Sequence, residues 1–209
     1  SAGVSCEESF SRDFIKKYKM DKTKCFAFDG TIVKYPDGYT DEITFFRKNI
    51  NIINDSNNTD LFFIFEKFDN IFLKMDIEGW EYPWILHLPI NYLRKIKQMT
   101  LEFHGIYDDS WDTKHIDKAK CWEKLASTHY NIHVHGNNFG NVKNKIPETI
   151  EVTYVNKNYF NTPPQVNTRK LPIVGLDLPN RQGIPDIDLN FEPFTNIDLG
   201  QLYFKKCFT

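Results

Sequence analysis

Cysteine is sparse in this chain: four in 209 residues, with no two close in sequence. That spacing leaves no room for a zinc ribbon and argues against a disulfide framework. Cys6, Cys25, Cys121 and Cys207 therefore read as reduced thiols, and a cytoplasmic, reducing compartment is expected. Long apolar runs are also missing. None reaches the roughly 18 residues a membrane helix needs, and no signal peptide is visible, so no membrane span is expected. Neither sign of charge dominates. Lys and Arg number 26 against 28 Asp and Glu, for a net charge of −2. Such a balance argues against a dedicated binder of nucleic acid or of anionic membranes. No internal repeat is found, and the only glycine near the start is Gly3. A phosphate-cradling GxGxxG loop is thus absent.

What the chain does have is apolar bulk. Hydrophobic residues make up 41% and aromatics 15%, with 18 Phe, enough for one domain with a Phe-rich core. Phe10, Phe14 and Tyr18 recur at helical spacing behind Ser5-Cys6-Glu7-Glu8, which has capping-box spacing, so a helix is expected over 6–19. Short strands are expected over 24–29, 43–46, 70–76, 99–105, 131–136 and 149–155. Helices are expected over 61–67 behind Asp60, over 81–97 with a break near Pro89, and over 113–129. Tyr35-Pro36-Asp37-Gly38 reads as a turn, and 51–59 as an Asn-rich loop. Strands alternating with helices predict an α/β fold with a mostly parallel sheet and helices on both faces. One domain is expected over 1–209: a core over 1–155 and a β-rich extension over 156–209, adding short strands at one edge.

The candidate chemistry sits at strand ends, where open α/β sheets bind ligands. Leu73-Lys74-Met75-Asp76-Ile77-Glu78-Gly79-Trp80-Glu81 carries an apolar run straight into two acids and a glycine. Asp29 ends an earlier strand, Glu102 and His104 a later one, and His135 with Asn137 and Asn138 the next. Neighbouring strands would bring Asp76, Glu102, His104 and His135 to one edge. Asp29, just before Gly30 and Thr31, suits the ribose hydroxyls of a nucleoside cofactor. Glu7 and Glu8 would repel a pyrophosphate but tolerate an amine or a sulfonium, which favours S-adenosylmethionine (SAM) over a dinucleotide.

Several phrases occur in a recurring order: Gly3-Val4-Ser5-Cys6-Glu7-Glu8-Ser9-Phe10, Phe26-Ala27-Phe28-Asp29-Gly30-Thr31, the stretch around Asp76, Leu101-Glu102-Phe103-His104, Val134-His135-Gly136-Asn137-Asn138, 147–154 and 176–180. Together they resemble the FkbM-like branch of class I SAM-dependent methyltransferases. The resemblance implies a Rossmann-like methyltransferase sheet and O-methylation of a sugar hydroxyl on a glycan. It implies that Gly3, Val4, Ser5 and Phe10 line the methionine side, and that Asp29 holds the ribose. On this resemblance the chain opens at the end of the expected first strand, so either that strand is truncated or the chain is expected to be a domain cut from a larger viral or bacterial protein with glycosyltransferase domains. His104 or His135 is expected as the base, since imidazole titrates near neutrality. Asp76 and Glu102 are alternatively placed to bind Mg²⁺ or Mn²⁺. Two other readings stand beside this one. Asp186-Ile187-Asp188 has the carboxylate spacing of metal-dependent glycosyltransferases, and a non-catalytic SAM-binding module would keep the fold alone.

Overall fold

The computed structural model describes residues 1–5, 8–36, 42–107 and 114–195, with the side chains of 115 and 116 left aside. Cys6 and Glu7 of the expected cap, Asp37 and Gly38 of the expected turn, and 196–209 of the expected extension lie outside the described residues. Five helices are described: α1 (Ser9–Tyr18), α2 (Phe62–Lys67), α3 (Glu81–His87), α4 (Ile90–Leu93) and α5 (His115–Thr128). The strands are β1 (Phe26–Phe28), β2 (Thr44–Phe46), β3 (Asn49–Ile50), β4 (Asn58–Thr59), β5 (Ile71–Met75), β6 (Ile96–Phe103), β7 (His129–Gly136), β8 (Val142–Lys143), β9 (Ile146–Pro147) and β10 (Ile150–Asn156). No helix among the described residues is long and apolar enough to cross a membrane.

The main sheet is built around the first three residues. Ala2 bridges in parallel to Phe28 on one side and Met75 on the other. Its N–H donates to the Lys74 carbonyl at 2.9 Å, and its own carbonyl accepts from Asp76 N–H at 3.0 Å. From this segment the chain steps outward to β1 and β2, which pair in parallel. It then returns to the other side of Ala2 as β5 and steps outward again to β6, also in parallel. β10 follows as a neighbour of β6, and β7 lies beyond it.

The sheet is mixed, not mostly parallel as expected, because β10 runs antiparallel to both neighbours. A parallel return needs a crossover of a dozen or more residues, usually a helix. Residues 137–149 supply instead the β8–β9 hairpin, so β10 comes back alongside β7 in the opposite sense.

The two faces of the sheet differ in chemistry. Met99, Leu101 and Phe103 alternate onto one face, opposite Tyr154, Val152 and Ile150, and all six are buried. α3 and α5 cover this face, with Trp122 4.2 Å and Tyr82 5.0 Å from the Phe103 ring. Each such side chain contributes about 1.5–3 kcal/mol by leaving water. On the other face, α1 lays Phe14 on Phe72 at 4.3 Å. Helices therefore do flank both faces. α1 starts at Ser9 with Glu8 at its cap position and no side-chain cap, so the expected capping box does not form there.

Further along this second face, Glu102, Glu151, His133 and His135 make a polar surface covered by residues 171–191. This strap is not β-rich. Beyond the short turn Lys157–Tyr159, the described residues hold only one isolated bridge, Val174 to Asp177. Pro163, Pro164, Pro172, Pro179 and Pro185 bring no N–H to a ladder, and proline is confined to edges or bulges of sheets. Leu171 and Leu189 pin the strap by entering the core.

Candidate functional site

The sheet order reverses between residues 1–3 and β5, and the carboxyl ends of both segments lie side by side at one edge. Gly3 turns there with φ +74°, and a Cβ on it would stand 1.6 Å from the Asp76 carbonyl oxygen. Only glycine lets the two lips approach so closely. Lys74 Nζ donates to the Gly3 carbonyl at 3.0 Å and ties them further.

Asp29 is occupied from within the chain. Its Oδ2 accepts from the Val4 and Ser5 amides at 2.9 and 3.0 Å. Its Oδ1 accepts from the Thr31 amide at 2.7 Å and the Thr31 hydroxyl at 2.6 Å. Burial alone would raise its pKa, but these bonds outweigh burial and hold the carboxyl below its ordinary value. A carboxylate offers about four acceptor sites. In this structure those sites are filled from Val4, Ser5 and Thr31, so the carboxylate expected to meet a ribose anchors the 3–5 loop. Gly30 lines a polar cavity of about 370 Å³ with Arg47, Asn49 and Asn57, and the Asn49 side chain packs against it, with Oδ1 2.2 Å from where a Cβ would sit. Phe10 points elsewhere as well. It lines an apolar cavity of about 260 Å³ with Phe14, Phe26 and Phe72, alongside Lys24 and Asn70 at the amino ends of the strands.

At this edge the acids gather around one histidine. Nε2 of His104 lies 3.5 Å from Glu78, 3.8 Å from Glu102 and 3.9 Å from Asp76, while Nδ1 lies 3.4 Å from Glu81. The structure thus brings Asp76, Glu102 and His104 together and adds Glu78 and Glu81. Glu81 is fully buried. Its two oxygens accept from the amides of Ile77 at 2.8 Å and Gly79 at 2.9 Å, which clamps the turn after β5. Sequence reasoning gave Glu81 no role. Its signal was an acid in the first turn of α3, where the free amides and helix dipole favour negative charge.

Burial would lower the His104 pKa, but the adjoining carboxylates, Glu81 first and then Glu102 and Glu78, push it up to about 9. The surrounding acids thus favour the imidazolium form, whereas the role expected of His104 as a base needs the neutral ring. Burial first, then Asp76, raises Glu102 to about 7, against the pull of His104 and of the Asn137 amide bonded to it at 2.7 Å. Burial likewise raises Asp76, whose buried Oδ1 has no hydrogen-bond partner.

Asp76, Glu78 and His104 each offer an atom within 4.8 Å of the others and could hold a divalent cation. The expected pair was Asp76 with Glu102; this set shares Asp76 and adds Glu78 and His104.

His135 does not join the cluster. It is clasped between Glu151 at 3.0 Å and Asp186 at 2.9 Å. Chiefly the Glu151 bond, opposed by burial and aided by Asp186, pushes its pKa up to about 9. Of the Asp186-Ile187-Asp188 motif, Asp186 bonds His135, and Asp188 accepts from the Asn190 amide at 2.7 Å. Of the aromatics beside the site, Trp84 and Tyr82 are core, as is Tyr154, and Trp80 alone is exposed. In comparisons with known proteins, no family model, no curated protein and no solved structure matches the chain.

Proposed function

We propose that the chain is a SAM-dependent methyltransferase acting on a sugar hydroxyl of a glycan. The observation that carries this reading is the order reversal between residues 1–3 and β5. In doubly wound sheets that point is where the ligand crevice opens. Here it sets Gly3–Ser5 against Asp76–Glu78, the same phrases that resemble the FkbM-like methyltransferases. The residues present fit the methionine end of SAM. The close backbone approach at Gly3 leaves no side chain on that lip, and Asp76 Oδ1 is a buried acceptor without a donor. An acidic cluster suits an ammonium and a sulfonium. Gly3, Val4, Ser5 and Asp76 would hold the cofactor, with no help from Asp29 for the ribose. When bound, SAM supplies an electrophilic methyl group.

The chain's own residues supply the rest. Glu102, poised near neutrality, takes the proton of the acceptor hydroxyl, since a base works best with a pKa near the working pH. The His104 cation keeps the neighbouring carboxylates close together. Glu81 holds the 77–79 turn and orients that imidazole. The Asp76, Glu78 and His104 set supports a second version, in which Mg²⁺ or Mn²⁺ lowers the pKa of the hydroxyl. Such an ion must displace the His104 proton, so its binding tightens as pH rises.

Calorimetry with S-adenosylhomocysteine tests the reading. Binding to the wild type, weakened roughly tenfold in Asp76→Asn, is expected from losing a charge-assisted contact. No heat with the wild type overturns the cofactor assignment. Binding without turnover on any sugar acceptor leaves a non-catalytic module.

A further inference from the structure

The outer surface of the strap is apolar where nothing demands it. Val174 is 99% exposed, Leu178 79% and Leu176 65%. These aliphatics sit on a tightly built turn. The amides of Leu176 and Asp177 donate to the Ile173 carbonyl at 3.0 and 2.9 Å. Asp177 Oδ2 accepts from the Ile173 amide at 2.6 Å, and Oδ1 pairs with His133 at 2.7 Å. The one acid of residues 166–184 is thereby turned inward onto a histidine. Arg169, Lys170 and Arg181 remain exposed around the turn. Asp188 lies near Lys170, but Lys145 faces it as well. A second apolar group adjoins. Phe139 is 67% exposed, and the Arg181 guanidinium lies 5.9 Å from the centre of its ring. The Asn138 side chain bonds the Arg181 amide at 2.7 Å and the Ile184 carbonyl at 3.3 Å, holding these residues together.

We propose that this face, with Val174, Leu176, Leu178 and Phe139 rimmed by Arg169, Lys170 and Arg181, docks on an anionic lipid bilayer. Aliphatic tips enter the boundary between headgroups and acyl chains, while the cations meet lipid phosphates. A protein socket would accept the same aliphatics, but three exposed cations stand beside them, while the nearby acids are met from within the chain: Glu151 by His135 and Asn180, and Asp188 by Lys145 and Lys170. The whole-chain charge of −2 does not oppose this, because surface attraction acts within about a Debye length and reads local charge. The face borders the acidic cluster: the Phe139 amide donates to Asn137, whose side chain bonds Glu102. The inference itself rests on none of the chemistry proposed for that cluster.

Vesicle flotation tests it, with phosphatidylcholine alone and phosphatidylcholine mixed with phosphatidylserine. The wild type is expected to float with the anionic vesicles and to be released by high salt. Each cation is worth roughly a fivefold change in partitioning, so Arg169→Glu, Lys170→Glu and Arg181→Glu together should cut binding by a hundredfold or more. Val174→Asp, Leu176→Asp and Leu178→Asp together should abolish flotation. Because all these side chains are exposed, circular dichroism and melting temperature should match the wild type. Absence of wild-type flotation overturns the proposal, as does equal flotation of folded variants. A wild type that ignores vesicles but self-associates through the aliphatic residues would make the face a protein contact, which also overturns it.

Discussion

Replacing Glu102 by Gln should make the protein more stable at alkaline pH while abolishing its proposed activity. In the fold, Glu102 titrates at about 7 instead of 4.5, because it is buried beside Asp76. A group whose pKa is raised on folding lends stability that is full below its unfolded value and lost as pH climbs through its folded value. For Glu102 that window runs from about 4.5 to about 7. At about 1.4 kcal/mol per pH unit, the ionised side chain costs the fold up to about 3 kcal/mol above pH 7. The side chain is only 19% exposed, so solvent screening reduces this only in part. Gln keeps an oxygen for the Asn137 amide and carries no charge. His104 loses one of its four acids, which returns part of the gain. A net gain of about 1–2 kcal/mol at pH 8 is expected, and little change at pH 4.5. Urea denaturation of both proteins across this range is the assay. A Gln variant less stable than the wild type at pH 8, with unchanged m-value, would refute the account of Glu102 as a strained ionised acid.

Other outcomes follow from the same geometry. His104 should stay protonated up to about pH 9, as read from its imidazole resonances by NMR; its stabilising charge, complete below 6.5, is lost as pH rises through 9. A resonance titrating at or below 6.5 would contradict the arrangement. Gly3→Ala forces a Cβ into the Asp76 carbonyl, so a loss of more than about 3 kcal/mol is expected by denaturation, beyond the usual range for a point change. Asp29→Ala frees the Val4 and Ser5 amides and should cost about 2–3 kcal/mol. Hydrogen exchange at those two amides should quicken, whereas unchanged exchange would show that Asp29 does not hold the loop.

Asp76, Glu102 and His104 were legible in the sequence because strand alternation and strand ends are local properties. Their convergence needed only that β5 and β6 be neighbours in parallel, as they are. The intrachain bonds of Asp29 were not legible. An acid at a strand end looks the same whether its donors come from a ligand or from Val4, Ser5 and Thr31. The opposite influence of the shared charges on His104 and Glu102 was hidden for a related reason. A pKa depends on how many charges share a buried volume, and the sequence does not show that Glu78 and Glu81 fold back onto the same imidazole. The reversal of β10 had a visible cue, the lack of a helical pattern between Gly136 and Ile150. The prolines beyond Asn156 similarly argued against strands in the extension. Alternating strands and helices over the preceding residues outweighed both cues.

Placing β10 between β6 and β7 has a consequence for how the molecule is assembled. Among the described residues, β7 has no strand partner other than β10, which follows it in the chain. A growing polypeptide therefore makes β6 and β7 first and must leave the inner edge of each unpaired until Ile150–Asn156 is synthesised. Open edges of this kind template association with other chains. The nascent protein thus passes through an interval of exposure that closes only when a late segment inserts between two earlier ones. Any shortening of the chain before Ile150 would make that interval permanent.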